Sequence, residues 1–317
     1  MPNEVSHSIN YLVAQFIERL MARNLSKYTI QDYCYMLKCF VRFLEDNQIK
    51  TVEKISKKIL LDYQTFNSQE KNKQGRMNTI VFQNFKLKVA AYFCKFLYEN
   101  DHVNDNPARG VQYAKQPKLL PRNVPSEGEV AKIIEQPNLN IPLGFRDRAI
   151  LEVLYSSGIR KAELINLDLA DVDYQQGTMI IRQGKGNKDR YVPVGQVACQ
   201  FLEAYIHHVR GLLLKGQPSP ALFVSLQCRR ISLSYLCYVI KKYVKKAGIK
   251  KRITTHSFRH ACATHLVNRG MDIRHVQVLL GHSCLSSTQV YTRVGIEDLK
   301  RVIKKYHPRE KKIESSS

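Results

Sequence analysis

The chain has 317 residues, of which 44% are hydrophobic, and its 50 Lys and Arg outweigh 27 Asp and Glu for a formal net charge of +23. That hydrophobic share excludes wholesale disorder, the length suits two ordinary domains, and the lack of any run of 18 apolar residues excludes a spanning helix. So large a positive excess repels itself unless a polyanion neutralises it, which makes nucleic acid the expected partner and a membrane surface a distant second.

Residues Ser8 to Asn24 read as an amphipathic helix with Leu12, Phe16, Ile17 and Leu20 on one stripe. Ser26 caps a second helix that runs through Tyr33, Leu37, Phe40, Val41 and Leu44 to about Asp46. A third spans about Lys57 to Phe66. A fourth follows the basic run Lys71 to Arg76 and carries Ile80, Phe82, Leu87, Ala91, Phe93 and Leu97. Four helices with short polar links predict a compact bundle over residues 1–106. Its cations Arg23, Lys27, Lys71, Lys73, Arg76, Lys86 and Lys88 are either phosphate clamps or solvated helix faces.

From Asp101 to Pro125 the helical period is lost. Asn106-Pro107, Gly110, Pro117, Pro121 and Pro125 punctuate it, with Lys115, Lys118 and Arg122 between them. A stiff basic linker is expected over 107–125, between the bundle and a second domain over 126–317. That domain opens with Ser126 as a cap and Glu129 at the capping-box position, leading a helix from Val130 to Glu135. Arg146 to Tyr155 forms an apolar helix that stops at Ser156-Ser157-Gly158. I-R-K-A-E-L-I-N-L begins another, which puts Arg160 at a helix N-terminus, where free N–H groups favour an anion. Glu163, one turn on, either buttresses that arginine or complements the helix start.

The period changes over Thr178 to Val194. T-M-I-I-R and R-Y-V-P-V read as two strands around Q-G-K-G-N-K-D, with Lys185 between two glycines at a mobile tip. Helices follow at about Gln196 to Leu214 and Ser232 to Ala247, the second a candidate for base readout in a DNA groove.

Thr255 to Tyr291 concentrates the chemistry. T-H-S-F-R-H places His256 and Arg259 three apart, on one face of a helix that Ser257 or Thr255 could cap. L-L-G-H ends a helix at Gly281 and presents His282, and S-S-T-Q-V-Y leads to Tyr291. A last helix runs from Ile296 to Lys305, ahead of a basic tail.

Eight cysteines (Cys34, Cys39, Cys94, Cys199, Cys228, Cys237, Cys262, Cys284) form no C-x-x-C pair, and the N-terminus carries no secretion signal. Reduced thiols and a cytoplasmic location are expected. There is no Walker-type G-x-x-x-x-G-K-S/T loop and no Asp/Glu/His cluster at metal-ligand spacing, so no cofactor and no metal are expected.

If Arg160, Lys185, His256, Arg259, His282 and Tyr291 converge, two guanidiniums can bracket one phosphodiester and stabilise its transition state. Tyr291 would attack phosphorus, Lys185 would protonate the leaving oxygen, and His282 would orient a phosphate oxygen. A covalent phosphotyrosine keeps the energy of the broken ester, so rejoining needs neither ATP nor a metal.

The order S-G-I-R-K-A-E-L, G-K-G-N-K-D-R-Y-V-P-V, T-H-S-F-R-H-A-C-A-T-H-L, L-L-G-H-S, S-S-T-Q-V-Y-T-R-V resembles the tyrosine recombinase (phage-integrase) family, in its Xer and mobile-element integrase branch. The resemblance implies that Arg160, Lys185, His256, Arg259 and His282 are catalytic, that Tyr291 is the nucleophile, and that Glu163 supports them. It implies a mainly α fold with a small antiparallel β-sheet, built as an N-terminal helical core-binding bundle and a C-terminal α+β catalytic domain. It further implies a clamp on duplex DNA, a 3′-phosphotyrosine intermediate and a Holliday junction. The assembly would be a homo- or hetero-tetramer in which the C-terminal helix, here Ile296 to Tyr306, docks on a neighbouring subunit. Two alternatives share parts of this reading: a type IB topoisomerase-like relaxase, and an inactive DNA-binding regulator.

Overall fold

The computed structural model describes residues 8–23, 25–72, 74–116, 124–182, 189–281 and 293–310, the first three of the last span by backbone alone. The chain divides into two compact units, Met1–Leu119 and Leu120–Ser317.

The first unit is a four-helix assembly: α1 Ile9–Ala22, α2 Lys27–Asp46, α3 Lys57–Gln69 and α4 Ile80–Glu99. Each starts where a hydroxyl takes an otherwise orphaned N–H, with Ser8, Ser26, Ser56 and Thr79 accepting from Tyr11, Thr29, Ile59 and Phe82. The apolar stripes meet in one core of Phe16, Leu37, Phe40, Leu44, Leu60, Leu87, Phe93 and Leu97. Phe16 sets its ring edge-on to Tyr92 and Phe93 at 5.1 and 5.7 Å.

Lys86 is not a solvated clamp. It is 2% exposed and pairs with Glu70 at 2.5 Å, on the face of α4 that packs inward. Residues 101–116 have no regular structure, yet Val103, Ala108 and Val111 pack on the bundle core. Asn84 secures Ala114 twice, accepting its N–H at 3.0 Å and donating to its carbonyl at 2.8 Å. Proline denies this stretch a helical period without preventing it from packing.

The second unit surrounds α6, Pro142–Ser157, which is buried along almost its whole length. Before it lies α5, Glu127–Ile134, with both halves of the expected capping box between Ser126 and Glu129 present. After it come α7, Lys161–Asn166, and a three-stranded antiparallel sheet of β1 Val172–Asp173, β2 Thr178–Ile181 and β3 Arg190–Pro193, in that order. Pairs such as Met179 with Val192 set the β2–β3 register. The short strand β1 adds a third member to the expected hairpin.

The helix expected from Gln196 to Leu214 is interrupted. It comprises α8, Gln196–Ala204, a π turn over Tyr205–Val209, and α9, Arg210–Leu214. Tyr205 Oη donates to the Leu222 carbonyl, and Arg210 donates to the carbonyls of Ala221, Leu222 and Ser219. Five positions apart on an α-helix, those two side chains would diverge by about 140°. The bond from Arg210 N–H to the Tyr205 carbonyl, i to i+5, brings them to one side.

The remaining helices are α10 Leu233–Lys246, α11 Thr255–Asn268, α12 Ile273–Leu280 and α13 Arg293–Tyr306. The cap of α11 is Thr254, one residue before Thr255 and three before Ser257, the two caps expected, and its hydroxyl accepts from Ser257 N. α13 lies on β3 of its own chain with Leu299 and Ile303 buried. The residues after it are seated too. His307 meets the Tyr155 carbonyl, the Arg309 guanidinium forks onto Glu152, and Glu310 accepts from Gln196 N. No helix among the described residues is long and apolar enough to cross a membrane.

Candidate active site

Arg160 owes its position to a helix stop. Gly158 ends α6 with φ +59, a conformation that side chains resist, and the chain turns at once into α7. Arg160 is the residue that precedes α7, and Glu163 reaches back to accept its backbone N–H at 2.8 Å. The same carboxylate accepts Arg160 Nη1 at 2.8 Å. Glu163 therefore does both things the sequence allowed, closing the helix start and buttressing the arginine. The Arg160 side chain remains 31% exposed, with N–H groups that no acceptor among the described residues takes.

Arg259 comes from the buried face of α11. Its Nη1 donates to the Gly158 carbonyl at 2.7 Å and its Nη2 to the Leu280 carbonyl at 2.5 Å. Arg160 Nη2 donates to the next carbonyl, that of Gly281, at 3.2 Å. Two guanidiniums 99 positions apart in the sequence thus hold adjacent carbonyls at the end of α12, where Gly281 adopts φ +64 and stops the helix. Burial, and then the neighbouring charge of Arg160, push Arg259 down to about 10, which still leaves it protonated at neutral pH.

His256 is exposed at the start of α11, with its ring Nε2 2.9 Å from that of His260. Partial burial, then the positive potentials of His260 and Arg259, lower its pKa and hold the imidazole neutral at pH 7. Lys185, His282 and Tyr291 lie outside the described residues. Arg160, Glu163 and Arg259 come together, with His256 on the same helix as Arg259.

One side chain beside these residues escaped the sequence reading. Arg190, the first residue of β3, is 6% exposed and forms a fork with Glu163, Nη1 to Oε1 and Nη2 to Oε2, both at 2.9 Å. Burial alone would raise the Glu163 carboxyl. The hydrogen bonds and charge of Arg190 outweigh it, and with Arg160 they bring that carboxyl down to about 2. A signal was present. In R-Y-V-P-V the alternation puts Arg190 on the inward parity with Val192, and an inward cation has to be paired.

Residues 125–297 match the phage integrase family, and residues 13–77 match the N-terminal SAM-like domain of phage integrases. The chain belongs to the phage integrase family. Over 302 residues it is 36% identical to the tyrosine recombinase XerD of Yersinia pestis, spanning 95% of this chain and 98% of that one. It is also 36% identical over 305 residues to XerC of Bacillus licheniformis, again spanning 95% and 98%. Among solved structures, a lambda integrase tetramer bound to a Holliday junction superposes with a TM-score of 0.68 at 18% identity, over 90% of this chain and 77% of that one, which shows the shared fold. The activity of this phage integrase family member is site-specific tyrosine recombination, and neither topoisomerase-like relaxation nor a purely regulatory role is favoured.

Proposed function

We propose that this recombinase cleaves duplex DNA by attack of Tyr291 on a phosphodiester that Arg160 and Arg259 hold. The observation carrying this reading is the convergence of those arginines on the consecutive carbonyls of Leu280 and Gly281, immediately before His282 in the chain. The phenolic proton passes to His256, whose lowered pKa keeps it neutral at pH 7. The bond from tyrosine oxygen to phosphorus forms as the bond to the 5′ oxygen breaks. That oxygen takes a proton from Lys185, leaving a 3′-phosphotyrosine and a free 5′-hydroxyl. His282 hydrogen-bonds a non-bridging oxygen, and Glu163 keeps Arg160 aimed. The ester energy is conserved in the adduct, so reversal onto a second strand draws on neither a nucleotide nor a metal.

In this reading residues 1–106 grip the duplex, 107–125 span to the catalytic domain, and 126–317 carry the chemistry. The net charge of +23 supports a double-stranded DNA partner, and the neighbour solved as a tetramer on a Holliday junction supports action on paired sites. Exchange of α13 between protomers would require it to leave the seat it occupies on its own β3. The described cysteines are all free, which fits a cytoplasmic location.

The test uses a nicked suicide duplex carrying the site recovered by sequencing DNA trapped covalently on the wild-type chain in cells. Tyr291→Phe is expected to form no adduct while binding that duplex normally. Adduct formation by this variant would assign the nucleophile elsewhere.

A further inference from the structure

Arg190 is spent entirely inside the protein. Both Nη groups face Glu163, and Nε is buried with no hydrogen-bond partner among the described residues. A Cβ built on Gly281 would lie 2.8 Å from that Nε, so the guanidinium rests directly on the backbone that ends α12. Glu163 in turn holds Arg160 through its backbone and side chain, and Arg160 reaches the carbonyl of the same Gly281. Arg190, Glu163, Arg160 and Gly281 thus form a closed ring, with one carboxylate shared by two guanidiniums. Arg190 also begins β3, five positions after Lys185 in the chain.

We propose that Arg190 is a positioning residue for strand cleavage: by clamping Glu163 and bearing on Gly281 it fixes the Arg160 guanidinium relative to the end of α12. This rests on the reading that Arg160 holds the phosphate. Arg190 does not itself reach the DNA, because it is buried and its Nη groups are already engaged. Its removal frees Glu163 to swing with Arg160, and it leaves the carboxyl with one cationic partner where it had two. A misplaced Arg160 binds a phosphate nearly as well as before but meets its transition state poorly.

The experiment measures single-turnover adduct formation on the same suicide duplex for the full-length wild type, Arg190→Met, Arg190→Lys and Arg160→Ala. Thermal unfolding and DNA affinity are recorded for each. Arg190→Met is expected to bind DNA within about threefold of wild type while its cleavage rate falls about 10- to 100-fold. Arg190→Lys retains the buried charge without the fork and is expected to fall between the two. The distinguishing readout is the split between affinity and rate: at saturating DNA and well below the melting temperature, the cleavage rate of the folded Arg190→Met falls while its affinity holds, and Arg190→Lys restores part of that rate. A residue serving only stability would lower the melting temperature and leave the saturated rate of the folded protein in place. If Arg190→Met does not fold, the saturated rate of Arg190→Lys decides the matter. Cleavage by both Arg190 variants within twofold of wild type would overturn the proposal. Undiminished cleavage by Arg160→Ala would instead overturn the site reading beneath it.

Discussion

Arg259 Nη1 donates to the carbonyl of Gly158 at 2.7 Å, tying the helix that carries the H-x-x-R pair to the turn that sets up Arg160. The two arginines are therefore coupled through backbone. Each anchors the chain the other depends on, with Arg259 holding the turn before Arg160 and both holding the end of α12.

Arg259→Lys should separate charge from geometry. A lysine keeps the cation but presents one ammonium where a fork spans Gly158 and Leu280. Adduct formation is expected to drop about 100- to 1,000-fold, the range for losing a transition-state donor. Each buried carbonyl left without its donor costs about 1–3 kcal/mol, so the melting temperature should fall as well. Suicide-substrate kinetics and thermal unfolding check the two effects separately.

Gly158→Ala should be harmful for two independent reasons. The backbone there has φ +59, and a Cβ would approach Leu280 Cδ2 to 2.8 Å and Cys262 Sγ to 3.3 Å. A cost of about 1–3 kcal/mol is expected from the left-handed conformation alone. A urea titration should show a lower midpoint with little change in slope. Cleavage should weaken beyond the loss of folded protein, because Arg160 is two residues away.

Much of this arrangement was legible in the chain. The stripe of Leu12, Phe16 and Leu20, the hydroxyl caps and the stops at Gly158 and Gly281 follow from local period and backbone preference, which act within a few residues. Arg160 and Glu163 stood out because they share one helix start. Other features depend on distant partners. The acceptors of Arg259 are carbonyls, which no side-chain pattern announces. The π turn at Tyr205 exists because the 219–222 loop collects both Tyr205 and Arg210, and Arg190 matters through a carboxylate 27 positions earlier. No local pattern separates Lys86 from a surface lysine, because its partner Glu70 lies 16 positions away on the chain.

Lys86 supplies a direct contrast with its neighbour Lys88, which is exposed on the same helix. Lys86→Met should cost the bundle about 1–3 kcal/mol, at the low end because Glu70 is partly open to water and can rehydrate. It should leave the dependence of DNA affinity on salt unchanged, since a buried, paired ammonium neutralises no phosphate. Lys88→Met should shift stability by no more than about 0.5 kcal/mol. Filter binding at several salt concentrations, with denaturant curves beside it, checks the pair.

Acid should loosen the seat of the C-terminal segment. His307 is fully buried against α6, and burial pushes its pKa down to about 4, opposed by the Tyr155 carbonyl and reinforced by Arg309, Arg269 and His265. A histidine held neutral in the fold binds a proton more readily once unfolded. Its contribution is therefore complete above the ordinary value of 6.5 and is lost as pH falls from there toward about 4. The full effect is on the order of 3 kcal/mol. His265, also lowered by burial, adds to the loss with the same sign. His307→Gln keeps a donor for the Tyr155 carbonyl and removes the titration. Urea midpoints measured from pH 7.5 to 4.5 should fall less steeply for His307→Gln than for the wild type. Parallel curves would mean that the acid sensitivity arises elsewhere in the fold.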